Sequence, residues 1–152
     1  MSELIKNLKV IELELEVRYD LSIAELISRA RFDGYVNSNI KDQNFPEETR
    51  PSEKRKIKLI NFGVTLSASL ILKVMDELNL QPANIKELLS LAIHYPNEQE
   101  QHPAVALKSV WRQPTIGASA PCLDEWLGLR VLSLYGTDGD WHGDWWFACF
   151  EN

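Results

Sequence analysis

The segment Trp141-His142-Gly143-Asp144-Trp145-Trp146-Phe147-Ala148-Cys149-Phe150 constrains this chain more than any other, because it gathers large apolar rings that water disfavours into ten residues. All five tryptophans (Trp111, Trp126, Trp141, Trp145 and Trp146) lie in the last 42 residues, so the aliphatic first two thirds and the aromatic remainder must be packed differently. In an extended strand Trp145, Phe147 and Cys149 face one way and Trp146, Ala148 and Phe150 the other. One triplet therefore enters a core, and the other meets a second layer, solvent or a partner. About three of the five indoles are expected inside. Trp126 and Trp141, which sit beside turn residues, are expected at the surface with Tyr135 near them.

Ahead of this region the periodicity changes twice. Leu13, Leu15, Val17 and Tyr19 alternate with Glu12, Glu14, Glu16 and Arg18, which predicts a half-buried strand over 8–19 whose outer glutamates discourage edge pairing. Ser22 and Glu25 have capping-box spacing, Ile23, Leu26, Ile27 and Ala30 recur at helical intervals, and Asp33-Gly34 supplies a stop. Residues 34–55, with Asn37, Asn39, Pro46 and Pro51, read as a long surface connection. A more buried strand is expected over 56–64, then a helix capped by Ser67 and ended near Asn79. A third helix follows the Gln81-Pro82-Ala83 turn, with an Asn84–Glu87 box and Pro96 as its limit. Asn97 to Pro103 reads as a loop. Strands are expected over 104–112, 120–123, 127–135 and 144–150. The expected fold is a single α+β domain over residues 1–152, an N-terminal strand and helices packed on a C-terminal, mostly antiparallel sheet built from the aromatic-rich region 104–152.

With 152 residues and 45% hydrophobic content the chain can bury one substantial core. A net charge of -6 and a pI near 5.1 argue against nucleic acid and against anionic membrane surfaces as partners. The one basic stretch, Arg50 to Lys58, is short, is flanked by Glu47, Glu48 and Glu53, and reads as a solvated loop. The opening residues lack a basic-then-apolar leader, and no apolar run approaches the ~18 residues of a membrane span, so the cytoplasm is the expected address. Cys122 and Cys149 suit reduced, buried thiols, although adjacent strands would also allow a bridge.

Leu80-Gln81-Pro82-Ala83, Glu87-Leu88-Leu89-Ser90-Leu91-Ala92 and Pro103-Ala104-Val105-Ala106-Leu107-Lys108-Ser109-Val110-Trp111 resemble an uncharacterised family of small bacterial proteins with a helix-Pro-Ala-helix unit, a "VAL-x-SVW" strand and an aromatic carboxy terminus. That resemblance covers most of residues 30–150 and implies no function. More remotely, a Pro-led turn into a Glu-Leu helix followed by tryptophan-rich strands is similar to the C-type lectin-like fold, which includes the formylglycine-generating enzymes and the variable proteins diversified by retroelements. The chain lacks that fold's Glu-Pro-Asn and Trp-Asn-Asp calcium signatures and the enzymes' cysteine pattern, so neither activity carries over.

Asp138, Asp140, His142 and Asp144 stand two residues apart and would share one face of a strand, a pattern open to hard cations but equally to a solvated acidic turn. The remaining ligands of an EF-hand loop are missing, and no metal or cofactor is expected. His94 and His102 read as surface or capping residues. No Ser-His-Asp order, phosphate loop or zinc spacing occurs, and nothing points to an enzyme. The leading reading is a non-enzymatic binding module for a protein or small ligand, presenting Trp126, Tyr135, Asp138, Asp140, Trp141, His142, Asp144 and Trp145. The alternative is an acidic inhibitory or immunity-type protein that neutralises a basic toxin or nuclease, with association falling steeply in salt. A cation-dependent enzyme at the 138–144 loop ranks third.

Overall fold

Residues 9–17 form β1 (Lys9–Val17) in the computed structural model, which describes residues 2–152. A short helix, α1 (Ser2–Lys6), precedes it. β1 pairs antiparallel along its whole length with β2 (Glu53–Asn61), in a register that sets Glu12, Glu14 and Glu16 opposite Lys58, Lys56 and Lys54. The stretch expected to be a solvated basic loop is thus mostly strand, and its lysines answer the glutamates of the neighbouring strand across one exposed face. Leu15, Val17, Ile57 and Leu59 point to the other face and are buried.

Three helices start where the caps are. α2 (Ile23–Ala30) carries the complete Ser22–Glu25 box, α3 (Ala68–Glu77) is capped by Ser67, and α4 (Ile85–His94) carries the complete Asn84–Glu87 box. α2 ends at left-handed Arg31 (φ 52°) rather than at Asp33-Gly34, and Asn79 (φ 58°) follows α3 as expected. A further turn of helix, α5 (Glu98–Gln101), occupies part of the expected 97–103 loop.

The remaining strands are β3 (Leu66–Ser67), β4 (Leu80–Pro82), β5 (Ala104–Val105), β6 (Trp111–Gln113), β7 (Gly117–Trp126), β8 (Leu129–Gly136), β9 (Asp140–Trp141) and β10 (Trp146–Glu151). Eight of the ten strands make one mostly antiparallel sheet in the order β1-β2-β10-β5-β7-β6, with β4 beside β10 and β8 beside β7. β3 and β9 form a separate two-stranded ribbon. The mixed α+β single domain expected from the pattern is the one observed, with its first two strands joined to the C-terminal sheet. The single strand expected over 104–112 is instead split into β5 and β6, and Gln81-Pro82, expected as a turn, pairs with Phe150 and Cys149.

β10 lies inside the sheet. β2 flanks it on one edge, and parallel β5 and antiparallel β4 share the other. Its two apolar faces consequently feed two cores. Ala148 and Phe150 join Leu26, Ile57, Leu88 and Leu132 beneath α2 and α4. Phe147 and Cys149 join Phe62, Ile71, Met75, Trp141 and Trp145 beneath α3. The two triplets read from the sequence thus separate as their parity requires, each against its own layer. Cys122 and Cys149 are both buried free thiols. Among the described residues no helix is long and apolar enough to cross a membrane.

Residues 34–55 are no loose surface connection. Val36 bridges β8 at Leu132, Ile40 and Phe45 are buried, and the Asp42 carboxylate accepts the Ile23 and Ala24 amides at 2.9 and 3.4 Å, a second cap on α2.

Candidate functional site

The β7–β8 hairpin turns through Leu127 and Gly128, both with positive φ (54° and 80°). Such a two-residue turn matches the strand twist, and its first position is normally Asn, Asp or Gly. Leucine there is strained by about 1–2 kcal/mol. It is also 87% exposed, with Trp126 69% exposed beside it and Leu129 opposite Trp126 in the ladder. A strained turn carrying uncovered apolar side chains is a costly arrangement for a part of the molecule that merely faces water.

Register places Trp126, Asp124, Leu129, Val131, Ser133 and Tyr135 on one face of the hairpin. Tyr35 and Asn37 are added from outside. The Gly34 amide donates to Arg130 O, Leu132 N to Tyr35 O and Asn37 N to Leu132 O, each at 2.9 Å, so residues 34–37 run along the free edge of β8. Gly34 permits this approach, because a Cβ there would lie 2.8–2.9 Å from Val131 Cγ1, Arg130 O and Leu129 Cβ. The result is a groove of about 440 Å³ with Tyr35, Trp126 and Tyr135 as aromatic walls and Asp124, Glu125, Ser133 and Asn37 as its polar groups. Among the described residues no cationic side chain lines it. Arg130, the nearest in sequence, turns inward to donate to Ala30 O at 2.7 Å and Ala92 O at 3.1 Å. The Tyr135 hydroxyl reaches Asp124 Oδ2 at 3.4 Å, and its pKa is raised by burial and by the Asp124 charge.

The residues singled out in the sequence divide among several places. Trp126 and Tyr135 line the groove. Trp141 and Trp145, expected to be presented outward, are instead 3% and 6% exposed. They pack edge-on to one another at 5.4 Å between centroids and under Tyr135 at 6.5 and 5.2 Å. They are buried because β9 pairs with β3 and draws the loop over α3, and because the buried Asn61 amide donates to Gly143 O and Trp145 O at 2.8 and 2.9 Å. Asp138 lies against Gly117, Asp140 is exposed in β9, and His142 and Asp144 are exposed beyond it, with His142 Nδ1 3.9 Å from Asp144 Oδ2. Among the described residues no three His, Cys, Asp or Glu side chains are placed to hold a metal ion.

A second cluster looks chemical but is mostly buried. The Tyr19 hydroxyl donates to Glu87 Oε2 at 2.6 Å, and Arg55 Nη1 donates to both at 2.8 and 2.9 Å. Glu87 Oε1 also accepts the Asn84 amide, and Lys86 Nζ donates to Tyr19 O at 3.1 Å and Glu48 O at 3.5 Å. Tyr19, Lys86 and Glu87 are all buried. Glu47 accepts from Ser109 Oγ, and burial pushes its carboxyl above the usual range. Arg50 stacks over the Tyr19 ring at 3.7 Å. These contacts tie residues 47–50 and β2 to the start of α4. A hydrogen-bonded network of this kind specifies packing, and of its members Arg55 lines an open cleft, one of about 550 Å³ shared with Glu14, Glu16, Lys54 and His94.

Of the site residues named from the sequence, Trp126, chosen for its neighbouring turn, and Tyr135, placed near it, line this groove. Tyr35, Asn37, Asp124, Glu125 and Ser133 line it as well and were not named for a site. Asp124-Glu125 beside Trp126 carried a signal, whereas Tyr35 is brought in by a contact nearly 100 residues distant in sequence. Comparison with known protein families, with curated proteins and with solved structures gives no match.

Proposed function

We propose that this protein is a non-enzymatic binding module and that it presents the β7–β8 hairpin end to a protein partner. The observation that carries this reading is the exposed Trp126-Leu127-Gly128-Leu129 tip, held in a strained turn. Tryptophan is prominent among residues that dominate binding energy, and a rigid hairpin presents it at low entropic cost. An inhibitory or immunity-type role remains the second reading, favoured by charge distribution. Residues 98–152 hold eight carboxylates against three lysines and arginines, while the glutamates of β1 already face lysines. A cytoplasmic address belongs to the same proposal and is supported by the two free, buried thiols.

Affinity capture from native lysate tests it with the wild-type chain and Trp126→Ala. A protein held by the wild type should be lost with the variant while the melting temperature stays within a few degrees. The same captured proteins with both chains would overturn the proposal.

A further inference from the structure

Given that reading of the hairpin face, we infer that the groove between Tyr35 and Trp126 receives an arginine side chain of the protein partner. The groove offers the groups a guanidinium uses: flat aromatic faces to stack on, carboxylates for charge, and neutral acceptors for its remaining N–H groups. Tyr35, Trp126 and Tyr135 supply the faces, Asp124 and Glu125 the charge, the latter with Oε1 already accepting the Gly128 amide, and Ser133 and Asn37 the acceptors. Asp124 is already oriented. Its Oδ1 accepts the Glu125 amide at 2.7 Å, which leaves Oδ2 beside the Tyr135 hydroxyl at the groove. A small ammonium would satisfy the charge but would not cover the rings or use a planar fork of donors, so lysine fits less well.

The surroundings favour a cationic protein segment over a lipid surface. Among the described residues no cationic side chain lines the groove to meet lipid phosphate, and Arg130 is spent on backbone carbonyls. The excess of carboxylates over residues 98–152 would draw in a basic partner, and Trp126, Leu127 and Leu129 would cover the apolar atoms beside its arginine.

The test is a titration of the full-length, ¹⁵N-labelled chain with the acetylated, amidated tripeptide Gly-Arg-Gly, followed by amide and indole chemical shifts. Matched citrulline and lysine tripeptides and phosphatidylcholine vesicles serve as separate probes. Saturable shifts at the Trp126 indole and at the Tyr35, Asp124 and Ser133 amides are expected with arginine. They should be weaker with lysine and absent with citrulline or vesicles. Asp124→Asn should weaken arginine binding by about tenfold, the scale of one charge-assisted hydrogen bond. The spectrum of that variant reports directly that it is folded. No arginine-dependent shift at tens of millimolar, equal shifts with citrulline, or shifts with vesicles alone would each overturn the inference. If arginine fails while Trp126→Ala still abolishes partner capture, the binding face stands and only its ligand chemistry falls.

Discussion

At the scale of single residues, Leu127 sets stability against use. Its left-handed backbone costs about 1–2 kcal/mol relative to a residue that tolerates that conformation, and its side chain gains nothing from burial. Leu127→Asn is therefore expected to stabilise the fold by about 1 kcal/mol, since Asn-Gly is the favoured pair for such a turn. The same change should weaken partner binding. Urea unfolding combined with the capture assay checks both halves, and a variant that is no more stable than the wild type would remove the strain from the account. Trp126 shows how far local sequence reaches. Its position beside a glycine turn was enough to predict exposure, and the ring is exposed. Trp141 has an equally turn-rich neighbourhood and is buried, because what covers it is α3 and what pins its loop is Asn61, both remote in sequence.

At the scale of elements, the segment along the free edge of β8 decides whether the groove exists. Its three backbone hydrogen bonds depend on an approach that only glycine allows at residue 34. Gly34→Ala should cost about 2 kcal/mol, the usual penalty for forcing atoms into a filled space, and should release the Leu132 and Asn37 amides. Hydrogen exchange reads this directly: faster exchange at those two amides is expected, with β1 and β2 unaffected. Protection equal to the wild type would show that the edge adjusts. The capped helices were legible because a cap and an apolar stripe are local. β4 and the 34–37 edge segment were not. Each is only a few residues long and is defined by partners elsewhere, Gln81 by Phe150 and Val36 by Leu132. The basic strand β2 was partly hidden for a related reason, since lysines suit a strand face only when glutamates lie opposite.

For the whole molecule, two cores on opposite faces of one sheet enclose groups that must stay uncharged. Burial pushes the Cys149 thiol up to about 12 and raises Cys122 well above its ordinary value. Burial and the neighbouring Glu87 push the Tyr19 phenol up to about 12. In the unfolded chain thiols ionise near about 8.5 and phenols near about 10. The folded values are the higher ones, so these groups stabilise the fold fully below the unfolded values, and that contribution is lost as pH rises toward the folded ones. Stability should be level near neutrality and fall above about pH 9, each thiol adding at most about 1.4 kcal/mol per pH unit. Urea unfolding between about pH 7.5 and pH 10 should show a shallower decline for Cys149→Ala than for the wild type. Identical slopes would mean that this thiol titrates freely. The placement of β10 also has a temporal consequence. Residues 146–151 are the seam that joins β2 to β4 and β5, so a ribosome must finish nearly the whole of this stretch before either half can shield its greasy side. A nascent chain stalled short of Trp146 would hold two half-built surfaces with nothing between them, a ready target for chaperones and proteases until the last strand slots home.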